Sequence, residues 1–147
     1  FVARSQRVTY LNLAGAGLGQ SRTMLQLVLQ ALQQDKQIRH LDLSKNGLGS
    51  DGLHVLSPGL EGHEALQELV LSENHVGRMG AAKIADILRQ NVYLEKIDLR
   101  DNSIGNDGAG YLAFALQRNF KLKALNLQRN NLGVEIKEKL ATAVMLD

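Results

Sequence analysis

Apolar residues along this chain alternate between two periods, and the alternation recurs at a fixed interval. Leu41, Leu69, Ile97 and Leu125 stand 28 residues apart, and Leu43, Leu71, Leu99 and Leu127 form a second column two places on. Around each Leu-x-Leu the apolar positions skip every other residue, which predicts a short strand with one buried face. Further along each unit they fall at i, i+3, i+4 and i+7, as at Ala81, Ile84, Ala85 and Leu88. That is the stripe of an amphipathic helix. Two helix columns, Leu56, Ile84, Leu112, Leu140 and Leu60, Leu88, Leu116, Val144, keep the same interval. One strand and one helix per unit predict an α/β fold, a parallel sheet with helices outside. A single unit cannot bury its apolar face, so stacked neighbours must supply the core.

A further copy opens the array with Leu11, Leu13, Leu18 and Gly19, thirty residues before their counterparts, while its helix residues Leu25, Val28 and Leu32 lie 28 before theirs. The two extra residues therefore belong between Gly19 and Leu25. Repeats thus start near residues 8, 38, 66, 94 and 122, and residues 1–147 read as one repeat domain. Phe1 to Gln6 reads as the tail of a preceding unit, so the chain is expected to be a fragment of a longer protein.

Two glycine columns accompany the leucines. Gly49, Gly77, Gly105 and Gly133 fit a site of positive φ or close backbone approach. Gly52, Gly80 and Gly108 fall near the helix starts, with Asp51 and Asp107 before them as expected N-caps. Pro58 falls inside the second full helix, where it removes a donor and crowds the preceding turn; that helix is expected to be short or kinked. In the last copy Ile136 replaces the second glycine and Lys137-Glu138-Lys139 follows, a charged face suited to a terminal cap.

The stretch Leu41-Asp42-Leu43-Ser44-Lys45-Asn46-Gly47-Leu48-Gly49 and its copies resemble leucine-rich repeats of the 28-residue, ribonuclease-inhibitor-like type. The resemblance covers residues 8 to 147. It implies a right-handed solenoid, a horseshoe segment of about five repeats with a concave parallel sheet and convex helices. It also implies that Asn46, Asn74, Asn102 and Asn130 bridge neighbouring turns as a ladder, work suited to an amide that donates and accepts together. The first copy has Ala16 in that column, so its rung should be missing.

Composition narrows the function. Seventeen Lys and Arg against fifteen Asp and Glu leave a net charge of +2 with no basic patch in the sequence, which argues against nucleic acid. No apolar run approaches the roughly 18 residues of a membrane span. There is no secretory signal, no cysteine and no Asn-x-Ser/Thr sequon, which together point to the cytoplasm. Gly15-Ala16-Gly17-Leu18-Gly19-Gln20 imitates a dinucleotide loop but has Gln20 where the last glycine belongs. His63-Glu64 opens like a zinc-protease helix but lacks the second histidine. His40 is expected on the concave face, His54 and His63 on the convex half and His75 in a turn, a scatter that builds no metal site. No catalytic residue, cofactor, metal or small-molecule substrate is expected.

Residues flanking the buried leucines should line the concave sheet. Among them Tyr10, His40, Asp42, Glu68, Val70, Lys96, Asp98 and Arg100 are the expected partner-binding residues, on a face of mixed charge. The resemblance implies a non-catalytic module that binds a protein, as members such as ribonuclease inhibitors, NOD-like receptors and the actin-capping end of tropomodulin do. Absent cysteine argues against the ribonuclease inhibitors themselves. One alternative is a regulator of GTPase turnover like Ran GTPase-activating protein, working through the strand-to-helix edge that Lys45, Glu73, Asp101 and Arg129 occupy, although the acidic tail of that family is missing. A scaffold segment of a larger assembly is the other.

Overall fold

The computed structural model describes residues 8–143. Five three-residue strands, β1 Tyr10–Asn12, β2 His40–Asp42, β3 Glu68–Val70, β4 Lys96–Asp98 and β5 Ala124–Asn126, form one parallel sheet in sequence order. Their register is set by the repeat interval: Leu11, Leu41, Leu69, Ile97 and Leu125 lie side by side, and so do the residues on either flank. Between the strands run α1 Arg22–Gln34, α2 Gly49–Glu61, α3 Gly77–Gln90 and α4 Gly105–Leu116, and α5 Val134–Ala143 follows β5. The strand leucines meet Leu53, Leu56, Leu60, Ile84, Leu88 and Leu112 from the helices in one continuous core. Each fully buried leucine contributes about 2 kcal/mol.

The turns leaving the strands use left-handed backbone repeatedly. Lys45, Glu73, Asp101 and Arg129 have φ of 55–56°, and Gly49, Gly77 and Gly105 have φ of 58–69°. Gly133 is not among the positive-φ residues. Gly19, in the first copy, serves by close approach instead, since a Cβ there would collide with the Gly47 carbonyl oxygen. Gly80 and Gly108 are required by packing: a Cβ would stand 2.7 Å from Val76 Cγ1 and Ile104 Cγ2 respectively. Ile136, which takes this place in the last copy, is half-buried. Val144 and Phe1 to Gln6 lie outside the described residues.

Three expectations are corrected. Asp51 and Asp107 are not N-caps: helical backbone already begins at Leu48 and Ile104, so both aspartates sit inside the first turn and no side chain caps either helix. There they favour the positive end of the helix dipole. The helix with Pro58 is not short, since α2 runs 13 residues, the same as α1. Pro58 has no N–H for the His54 carbonyl, and the Ser57 hydroxyl donates to that oxygen at 3.1 Å instead. His63, expected on the convex half, is buried at the helix-to-strand turn with 1% exposure. His54 is exposed on α2 and His75 occupies a turn at φ 54°.

The two extra residues of the first copy come after Gly19, where a turn of 3-10 helix at Leu18–Gln20 leads into Ser21, whose hydroxyl caps α1 by accepting from Met24 N at 3.2 Å.

Candidate functional site

Two outward rows of the concave face run across the five strands. In the first row Tyr10, His40, Glu68, Lys96 and Ala124 are neighbours in register. Tyr10 stacks on His40 with ring centroids 4.5 Å apart and planes 19° from parallel. On its other side His40 Nδ1 lies 3.0 Å from Glu68 Oε2. Three side chains from three strands therefore hold one another, while Tyr10 remains 54% exposed. Lys96 is exposed and has no ion pair among the described residues. Beside it the small Ala124 leaves a dent of about 160 Å³, bordered by Glu68, Lys96, Asp98 and Asn126. Drug-sized ligands occupy pockets of ~300 Å³ or more, so this dent suits a single protruding side chain.

The second row is Asn12, Asp42, Val70, Asp98 and Asn126. Its polar members have local work. The Asp42 carboxylate accepts from the Ser44 backbone N–H at 2.9 Å and from the Ser44 hydroxyl at 2.7 Å. Asn12, Asp98 and Asn126 accept from the N–H two residues on, at 2.9–3.1 Å. Each satisfies the backbone as it leaves the strand. Asp98 also receives the Arg100 guanidinium, with Nε 3.0 Å from Oδ2, and this carboxylate raises the Arg100 pKa further above its already high value. Asp42, Asp98 and Arg100 thus spend much of their bonding capacity on their own turns. Val70, half-buried at the centre, is the row's aliphatic member.

Along the strand-to-helix edge, Arg129 is clamped onto Asp101 by two bonds of 2.7 Å, and Lys45 lies 3.8 Å from Glu73. The guanidinium holds the Asp101 carboxyl below its usual range. Behind this edge runs the asparagine ladder. Asn74 Oδ1 accepts from Asn46 N at 3.1 Å and Leu48 N at 3.3 Å, and its Nδ2 donates to the Leu43, Leu71 and Ser72 carbonyls at 2.9–3.3 Å. Asn102 and Asn130 repeat the pattern. Asn46 begins it: Ala16 contributes no side-chain rung, and Asn46 Nδ2 takes the Leu13 carbonyl at 2.9 Å.

A second ladder, at the helix-to-strand turns, escapes the sequence reading. Asp35, His63, Asn91 and Asn119 are also 28 residues apart. Each accepts from the backbone N–H groups two and three residues on, His63 through Nδ1 at 3.3 and 3.1 Å. His63 is therefore neutral with its proton on Nε2. Burial pushes its pKa down, opposed by the Asp35 carboxylate and assisted by Lys36. Nε2 has no hydrogen-bond partner and stands 4.0 Å from Asp35 Oδ1. The signal was the fixed interval itself, hidden because the column mixes three residue types.

Among the described residues no group of His, Asp and Glu is arranged to hold a metal ion, and no helix is long and apolar enough to cross a membrane.

The repeats, the parallel sheet and the two ladders define a solenoid class, and the family described as "Leucine Rich repeat" matches residues 37–57, 90–113 and 118–141. The fold is a leucine-rich-repeat solenoid. Among solved structures it is similar in fold to the leiomodin-1 actin-binding site 2, with a TM-score of 0.77 at 18% identity over 92% of this chain and 78% of that one. It is also similar to the tropomodulin C-terminal domain of Caenorhabditis elegans, with a TM-score of 0.78 at 13% identity over 95% of this chain and 83% of that one. No curated protein matches the chain by sequence.

Proposed function

We propose that this chain is a non-catalytic binding module that engages a protein partner through its concave sheet and the adjacent turns. The observation that carries this reading is the Tyr10–His40–Glu68 chain: an aromatic ring and two polar groups held in fixed relation across three strands yet open to solvent. Rigid amphipathic rings lose little side-chain freedom on binding, which is why tyrosine is enriched at interfaces. Lys96 and the dent beside Ala124 extend the surface along the same row. A cytoplasmic location accords with a chain that carries no cysteine.

Actin is the first partner to assay, because the leiomodin-1 domain of similar fold is described as an actin-binding site. Tyr10→Ala, His40→Ala and Lys96→Ala are the informative changes. Unlike Asp42 and Asp98, none of the three satisfies the backbone of its own turn. The combined variant should keep its circular dichroism spectrum and weaken partner binding at least about tenfold in titration calorimetry. Unchanged affinity would move the interface off the sheet. Binding that maps instead to the terminal repeats would favour the scaffold reading. The GTPase-regulator reading predicts faster GTP hydrolysis by a small GTPase. Arg129, its best-placed cation, is engaged by Asp101, so that reading has no specific support here.

A further inference from the structure

A second exposed surface lies away from the concave sheet, where α3 and α4 turn back toward the strands. Phe120 is 93% exposed and Val92 60% exposed. They lie 28 residues apart and so occupy the same place in successive turns. Between them is a pocket of about 320 Å³, walled by Leu88, Val92 and Phe120 and edged by Arg89, Arg118 and Lys121. The phenyl ring is not carried on a loose loop. Asn119 beside it donates to the Leu88 carbonyl at 2.8 Å and accepts from Lys121 N at 2.9 Å and Leu122 N at 3.0 Å.

The charge here is one-sided. Lys121 and Lys123 share the single Glu95 carboxylate at 3.4 and 3.3 Å, and Arg89 is paired with Asp86 at 2.8 Å. Both lysines hold the Glu95 carboxyl below its usual range. Arg118 has no ion pair among the described residues. Four cations thus face two carboxylates around an apolar pocket, whereas one repeat earlier the same edge carries Glu61 and Glu64. Basic segments that recognise anionic membranes concentrate about four to eight cations without local acids, and they do not need a slot between two side chains.

We propose that this edge docks an acidic segment of a partner protein, with one bulky apolar side chain entering between Val92 and Phe120 and flanking carboxylates facing Arg118, Lys121 and Arg89. Solvent-exposed apolar surface rimmed by charge is characteristic of such contacts. The test uses a fluorescently labelled peptide of alternating Glu and Asp with one central Leu, read by anisotropy at low and high salt. Phosphatidylserine vesicles provide the membrane arm. Binding that falls with salt, and weakens at least about tenfold in both Phe120→Ala and Arg118→Glu while Arg22→Glu, at the far end of the stack on α1, leaves it unchanged, supports the proposal. All substituted side chains are exposed, so the fold should persist in each variant. No binding by the unaltered protein, binding indifferent to Phe120→Ala, or tighter binding to the vesicles than to the peptide overturns it.

Discussion

Two polar ladders run through the stack, one at each end of the helices, and they follow different rules. At the strand-to-helix turns every rung from Asn46 to Asn130 is asparagine, and every one both accepts backbone N–H groups and donates to backbone carbonyls. At the helix-to-strand turns all four rungs accept, but donation to the preceding repeat is made only by Asn91, to Leu60 and His63, and by Asn119, to Leu88 and Asn91. Acceptance is thus common to both ladders, and donation is constant in one and optional in the other. The first ladder is buried between turns, where no water reaches the N–H groups its oxygens accept. Asp35, at the open end of the second, is itself partly exposed, so water can serve the groups it leaves.

The contrast can be tested by substitution. Asn74→Ala leaves two buried N–H groups, those of Asn46 and Leu48, without their acceptor, and takes one of two donors from each of the Leu43, Leu71 and Ser72 carbonyls. At about 1–3 kcal/mol for an unsatisfied buried group, less whatever relaxation recovers, the variant should lose about 3 kcal/mol or more in urea unfolding. A loss under about 1 kcal/mol would mean the ladder is incidental to stability.

In the second ladder the expected sign reverses. His63→Asn keeps the acceptor and adds an amide that can reach the Leu32 and Asp35 carbonyls, as Asn91 reaches those of Leu60 and His63. It should stabilise the chain by about 1 kcal/mol. The same substitution should flatten the pH dependence. Because burial lowers the His63 pKa in the folded state, the unfolded chain takes up the proton first, at about pH 6.5. Its contribution is therefore full above that pH and lost as the pH falls below it. Unfolding midpoints that fall in parallel for both proteins between pH 7.5 and 5.5 would assign the acid sensitivity elsewhere.

Ala16→Asn should do least. It restores the missing residue of the first ladder at an exposed position, and its effect on stability should stay within about 0.5 kcal/mol. A larger gain would show that the rung matters even where solvent reaches it.

What could be read from the sequence follows the same division. The leucine columns and the asparagine ladder were legible because each buried position admits one kind of chemistry and so repeats one kind of residue. The second ladder was not, because Asp, His and Asn share an acceptor atom but no residue type. The length of α2 was misjudged because a neighbouring hydroxyl at Ser57 answers the defect of Pro58, a compensation visible only in three dimensions. Asp51 and Asp107 resemble caps in any sequence window, yet the helices start earlier through the left-handed turn. On the concave face the sequence placed the outward residues. It could not separate those bound to their own turns, Asp42 and Asp98, from the stacked Tyr10 and His40.

The 3-10 turn at Leu18–Gln20 shows where the repeat can change length. Both ladders measure the interval between turns, and Leu18 N still reaches Asn46 Oδ1 at 3.1 Å although the first copy is two residues longer. Added chain there falls after one ladder's contact and before the helix that leads to the next. An affinity handle or fluorophore inserted beside Gln20 would therefore leave every downstream turn in phase, whereas one extra residue between Asn74 and Asn102 would put two neighbouring turns out of step.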